Sequence, residues 1–403
     1  MLYHSTRGHP LEVDFAGAVL GGLAPDGGLY VPNTFPGLPH GWEHWSYVDA
    51  MVGSLELFGA SDVTDPVGEA ASRFGHPDVA PIVEVGDRLV LELFHGPTLS
   101  FKDHALQVLV RLMSNLGARG MILGATSGDT GAAAIEASRG VLPIVVLFPE
   151  GRVSELQRRQ MTTGRHQGVR VVAVRGTFDD CQALVKEAFA ELPGLLAVNS
   201  INWGRIAAQV GYYIYAAGRV GSPFDVVVPT GNFGNVYSCW VAKQLGAPIE
   251  SIVIATNANR FLFDLVDTGR RSVSPVVSTV APAMDIQVPS NLERLPGDEL
   301  SSFRAGWADD AAISAAIASV DREHGYVLDP HTAAAWSVGE RFLGHRPQLV
   351  VATAHPAKFP EVVEASTGRV PEPPEALRRV IRAPESYATI DPTFAALEAV
   401  LRR

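Results

Sequence analysis

From about residue 82 the chain alternates between two hydrophobic rhythms. Short apolar, β-branched runs lie at 88–93, 121–123, 143–148, 169–174, 225–228, 251–255 and 348–352. Most are followed by stretches with apolar residues three and four apart, at 101–113, 130–138, 154–163, 178–192, 203–219, 234–245 and 356–366. The first rhythm predicts strands and the second predicts amphipathic helices. Runs such as Ile144-Val145-Val146-Leu147-Phe148 do not alternate with polar residues, so both faces of those strands are expected to be buried. Strand followed by helix predicts parallel sheets joined by right-handed crossovers. So many units exceed one sheet, and two α/β lobes with helices on both faces of each sheet are expected. Residues 1–78 lack this rhythm; helical and irregular stretches are punctuated there by turns such as Ala24-Pro25-Asp26-Gly27-Gly28. The expected organisation is a mostly helical N-terminal region, 1–78, and a catalytic region, 79–403, with a small lobe at about 104–200 and a large lobe formed by the remainder. Parallel sheets bind ligands beyond the carboxyl ends of their strands, so chemistry is expected in the loops that follow them.

Composition narrows the function classes. The 403 residues fit two or three domains at ~150 residues each. Forty-three acidic against 32 basic residues leave a net charge of −11, which lacks the basic footprint of a nucleic-acid binder. No apolar, uncharged window of ~20 residues predicts a membrane span, and the first residues carry no secretory pattern. Two cysteines, Cys181 and Cys239, build no disulfide framework and are expected as small buried apolar side chains. A cytoplasmic setting is expected. Without CxxC or HExxH no metal is expected. Without GxxxxGK[ST] or GxGxxG neither a P-loop nor a dinucleotide fold is expected, which disfavours a nucleotide-dependent oxidoreductase. Lysine is scarce, with only Lys102, Lys186, Lys243 and Lys358, so each can be weighed singly.

Five post-strand loops carry candidate chemistry. In the first, Ser100 and Asp103 have the spacing of a capping box, which places Lys102 in the first turn of a helix. The positive end of the helix dipole and the apolar neighbour Phe101 both disfavour its ammonium form, and a neutral lysine is a nucleophile for carbonyls. The plainer reading is a surface lysine paired with Asp103. The second loop, Gly124 to Gly131, and the third, Pro229 to Asn235, combine glycines with a helix start and so suit an anion, or else are simply capped turns. In the fourth, Asn199, Ser200 and Arg205 form a donor set suited to a phosphate dianion. The fifth contributes the neutral hydroxyl of Thr353; His355 and Lys358 beside it are expected to be structural or peripheral, and His95, His104 and His331 remain unassigned.

Taken in order, ELFHGPTLSFKD (92–103), TSGDTGAA (126–133), GRVSELQRRQM (151–161), NSINWGR (199–205), PTGNFGN (229–235) and TAHPAKFP (353–360) resemble the motifs of the threonine synthases. APDGGLYVP (24–32) and DPHTAAAW (329–336) are similar to further motifs of that family. The resemblance spans roughly residues 1–370 and implies a fold-type II pyridoxal-phosphate enzyme, like the tryptophan synthase β chain. It implies pyridoxal 5′-phosphate as cofactor and O-phospho-L-homoserine as substrate, turned into L-threonine and phosphate by γ-elimination and β-addition of water. On the matching positions, Lys102 would hold the cofactor and then act as base. Gly231, Asn232, Phe233, Gly234 and Asn235 would bind the cofactor phosphate, and Thr353 would face the pyridine nitrogen. Ser127, Gly128, Asp129 and Thr130 would receive the substrate carboxylate. Asn199, Ser200 and Arg205, with Ser154, would grip the substrate phosphate. Ser100 stands where the family usually has Ala, and His104 where it often has an aromatic residue; neither is needed for the chemistry. The rival readings are another fold-type II lyase, such as a serine or threonine dehydratase, which needs no phosphate receptor at 199–205, and a non-catalytic pyridoxal-phosphate-binding homologue. A monomer or homodimer is expected.

Overall fold

The computed structural model describes residues 1–126, 128–163 and 166–402. Two largely parallel sheets carry the α/β organisation. The larger has six strands in the order Arg304–Trp307, Ile249–Thr256, Phe224–Pro229, Gln348–Ala352, Arg88–Glu92 and Ile82–Val85. Its neighbours are parallel except for the final hairpin. Phe224–Pro229 and Gln348–Ala352 lie at its centre and are buried at every position, as their unbroken apolar runs require. The smaller sheet is parallel throughout, in the order Ala388–Ile390, Val169–Val174, Ile144–Pro149, Met121–Ala125 and Leu195–Leu196. No helix among the described residues is long and apolar enough to cross a membrane.

The helix Trp203–Val220 is buried continuously from Trp203 to Ala217, its polar members Arg205 and Gln209 included. The N-terminal region packs on it. Tyr3 and Phe58 meet Trp203 edge-on, at ring separations of 5.6 and 5.1 Å, and Ser54 Oγ donates to Ala207 O. Gly211 lets the helix Tyr47–Leu57 approach, since a Cβ there would lie 2.9 Å from Met51 Cα.

Three local expectations are corrected. The stretch 356–366 is not one helix but a 3₁₀ turn, Pro356–Lys358, followed by the helix Pro360–Thr367. Proline excludes its predecessor from helical geometry and starts a new helix itself, and Phe359 sits at φ −130°, ψ 53°. The capping box at Ser100 and Asp103 does not form. Lys102–Asn115 starts without a side-chain cap, because the Asp103 carboxylate instead accepts from Thr98 N and Thr98 Oγ1, both at 2.8 Å. The last residues carry order that was not expected: Glu375–Arg382, Ala388–Ile390 and Phe394–Leu401 run back from the large sheet to the small one.

Candidate active site

The loop before Lys102 runs beside the loop after the strand Gln348–Ala352. Phe101 N donates to Thr353 O (2.9 Å), His355 N to Leu99 O (3.1 Å), and Ser100 bridges Ala354. Leu99 takes a left-handed φ of 60°, a conformation a leucine holds only when its surroundings fix it. Lys102 opens its helix, as expected, but its partner is not Asp103. Its Nζ lies 3.4 Å from Oδ2 of Asp129, the first residue of the helix Asp129–Ser138. Lys358 is not peripheral either. Its side chain is buried, with Nζ 2.8 Å from Asp129 Oδ1 and 2.9 Å from Thr98 O. Burial lowers the Lys102 pKa; Asp129 opposes this, while Lys358 and Arg205 push it down further. Burial alone would raise the Asp129 carboxyl, but Lys358 and Lys102 together hold it well below the usual carboxylate range.

The strand Phe224–Pro229 leads into the helix Gly234–Gln244, whose N-cap, Phe233, is left-handed (φ 66°) and makes no side-chain cap bond. First-turn N–H groups have no partner within a helix and here point out of its open end. Asn235 Oδ1 accepts from Tyr212 Oη (2.6 Å) and Tyr213 Oη (2.7 Å), which leaves its buried Nδ2 without a partner. Gly231 packs against Ala283, whose carbonyl oxygen would lie 2.5 Å from a Cβ. Asn232 O accepts from Asn291 N and Nδ2, and the same Nδ2 donates to Ser200 O. Asn291 thereby ties the third loop to the fourth.

Arg205 is buried in the first turn of Trp203–Val220. Its Nε has no partner and its Nη1 reaches only Val198 O, at 3.4 Å. Among the described residues no carboxylate pairs with it. Burial lowers its pKa to about 10. A buried donor left unmatched costs about 1–3 kcal/mol, so this guanidinium and Asn235 Nδ2 both await acceptors. Of the other expected phosphate donors, Asn199 is exposed and Ser200 half-buried in the loop before this helix. Ser154 caps the helix Glu155–Thr162, accepting from Gln157 N. Gln157 in turn rests against Gly128, so Ser154 borders the second loop. In that loop Thr126 Oγ1 accepts from Gly128 N and Gly131 N, and Thr130 is half-buried. Ser127 lies outside the described residues.

Thr353 is held from behind by residues the sequence left unassigned. Its N donates to Thr332 Oγ1 (3.3 Å), and that hydroxyl donates to Asp329. Asp329 also accepts from His331 Nδ1 at 2.8 Å, while His331 Nε2 accepts from Ala283 N. That pattern assigns a neutral His331 with its proton on Nδ1. Asn291 was missed because its partners lie elsewhere in the sequence; Asp329 and His331 pair locally within the DPHT motif, but their links to Thr353 and Ala283 exist only in the fold.

A desolvated amine, an uncapped helix start beside an orphaned amide, and a second, separate buried cation suit a phosphorylated aldehyde cofactor and an anionic substrate. Fold and site together define a pyridoxal-phosphate-dependent enzyme. The family described as "Pyridoxal-phosphate dependent enzyme" matches residues 84–353, "Threonine synthase N terminus" matches 2–66 and "Threonine synthase, C-terminal" matches 332–401. The threonine synthase of Pseudomonas aeruginosa is 38% identical, over 99% of this chain and 97% of its own. That of Schizosaccharomyces pombe is 37% identical, over 90% and 88%. A crystal structure of pyridoxal-phosphate-bound threonine synthase from Brucella melitensis superposes with a TM-score of 0.94 at 39% identity, covering 100% of this chain and 99% of that one. The chain belongs to the threonine synthase family.

Proposed function

We propose that the protein converts O-phospho-L-homoserine and water to L-threonine and phosphate, with pyridoxal 5′-phosphate as cofactor, in the cytoplasm and as a monomer or homodimer. The observation that carries this reading is the buried Arg205, which has no carboxylate partner among the described residues and lies close enough to Lys102 to lower its pKa. A dehydratase acting on an unphosphorylated amino acid has no use for such a charge.

Lys102 Nζ would hold the cofactor, residues 231–235 its phosphate, and Thr353 would stand at its ring nitrogen. Bound there, the cofactor supplies an aldehyde for covalent capture and an electron sink for carbanion chemistry. Lys102, whose ammonium form is disfavoured by burial, would also serve as the base for the α-proton. Thr353 offers a hydroxyl, not a carboxylate, so no protein anion is provided to keep the ring nitrogen protonated. Arg205, with Asn199, Ser200 and Ser154, receives the phosphate that leaves from Cγ. Residues 127–130, at the start of the helix Asp129–Ser138, would take the substrate carboxylate. The Asp129 side chain is committed to the two lysines.

The test is phosphate release by the holoenzyme in step with threonine formation. Lys102→Ala is expected to lose both, along with covalent retention of the cofactor. Keto-acid formation from serine or threonine with no phosphorylated substrate turned over would overturn the reading.

A further inference from the structure

Asp129 is one carboxylate shared by two amines. Lys358 has the better claim: its side chain is 1% exposed, its Nζ is 2.8 Å from the carboxylate, and Thr98 O supplies a second acceptor at 2.9 Å. Lys102 is 13% exposed and 3.4 Å away, with no further acceptor among the described residues. A buried carboxylate can neutralise one ammonium; a second leaves excess charge where desolvation is costly. Arg205, without an anion, adds to that excess. The charged groups facing the Lys102 amine are thus Asp129 from Asp129–Ser138, Lys358 from the turn Pro356–Lys358, and Arg205 from Trp203–Val220. His331, neutral by its hydrogen bonds, brings no charge to Asp129, and Asp103 is engaged by Thr98. The Phe101 ring, 4.8 Å from Lys102 Nζ, is a weak attraction in the other direction.

Building on the reading of Lys102 as the residue that captures the cofactor, we propose that Lys358 is a positioning residue: its ammonium occupies Asp129 and so leaves Lys102 as the free amine of the site. Without Lys358, the carboxylate that orients Lys102 would also hold a proton on it.

The scarcity of lysine makes this measurable. The full chain, freed of cofactor, is treated with trace acetic anhydride over a range of pH, and the acetylation of each lysine is followed by peptide mass spectrometry, with the exposed Lys186 as internal reference. In the wild type, Lys102 is expected to react with a midpoint below that of Lys186, while Lys358 stays protected. In Lys358→Met the Lys102 midpoint rises by about one pH unit, a tenfold loss of free amine at neutral pH. An unmoved Lys102 midpoint in that variant, or acetylation of Lys358 ahead of Lys102 in the wild type, overturns the proposal. The wild-type arm decides even if the variant fails to fold. The phosphate-release assay stands apart: its failure removes the proposed reaction and leaves the lysine pairing intact, and a failed acetylation test does the reverse.

Discussion

Arg205 shows at the scale of one residue how burial without a partner points to a ligand. Arg205→Met removes the charge and keeps much of the stem. It is expected to lower kcat/KM for O-phospho-L-homoserine by at least ~30-fold, about 2 kcal/mol for a desolvated charge pair, with the fold intact by circular dichroism. Unchanged kinetics would remove Arg205 from the site. The histidines make a second prediction. Burial holds His104 down to about 3 and His355 to about 4. Below the free value of ~6.5 the unfolded chain takes up protons that the folded chain refuses, so stability falls as the pH drops from there. Asp103, raised to about 6 by burial, opposes this: its contribution is present below about pH 4 and lost as the pH rises through 6. Two groups against one leave a net loss of about 1.4 kcal/mol per pH unit between roughly 6 and 4.5. Urea midpoints at several pH values check it; a flat profile refutes it. That Lys102 opens a helix was legible from its loop, because helix-start chemistry is local; its role was implied only by the resemblance. The place of Lys358 was not legible, because its burial and its contact with Asp129, more than two hundred residues earlier, exist only once the chain has folded.

Among the elements, the long parallel strands were legible nearly to their ends, because burial on both faces writes an unbroken apolar run; the short parallel strands Arg304–Trp307 and Leu195–Leu196, partly exposed, were missed. Strand Val169–Val174 was placed to the residue, and Ile249–Thr256 was missed only at its margins. Helices failed where side chains had competing partners. Ser100 and Asp103 have capping spacing, yet Thr98 claims the carboxylate; Pro360 interrupts a stretch whose apolar spacing continues through it. Asp310–His324 was overlooked although Asp309 caps it, because alanines give little amphipathic contrast. The close crossing of Trp203–Val220 and Tyr47–Leu57 yields a test. Gly211→Ala places a methyl against the Met51 backbone and is expected to cost about 1–3 kcal/mol. Thermal unfolding checks it, and an unchanged Tm shows that the helices can part without loss.

Over the whole molecule, the two sheets are joined by a returning segment as well as by the site. Leu377, on Glu375–Arg382, packs with Ala357 of the large lobe, Leu99 of the Lys102 loop and Leu156 of the small lobe. Arg158 and Thr162 anchor the same segment through Glu385. Leu377→Ala is expected to destabilise by about 2–5 kcal/mol, as read from urea unfolding; a loss below about 1 kcal/mol would mean the contact is not a core one. Two lobes could be read from the rhythm, but not this return, because a three-residue strand leaves no periodic trace. It also fixes an order of events during synthesis. The strand Val169–Val174 emerges early, yet its outer neighbour, Ala388–Ile390, is among the last residues made. Until then the small sheet presents an unpaired, apolar, parallel edge, the kind of surface on which chains pair with one another. The closing strand therefore guards the completed chain against aggregation, and a chain ending before it should collect in the insoluble fraction even with every catalytic candidate in place.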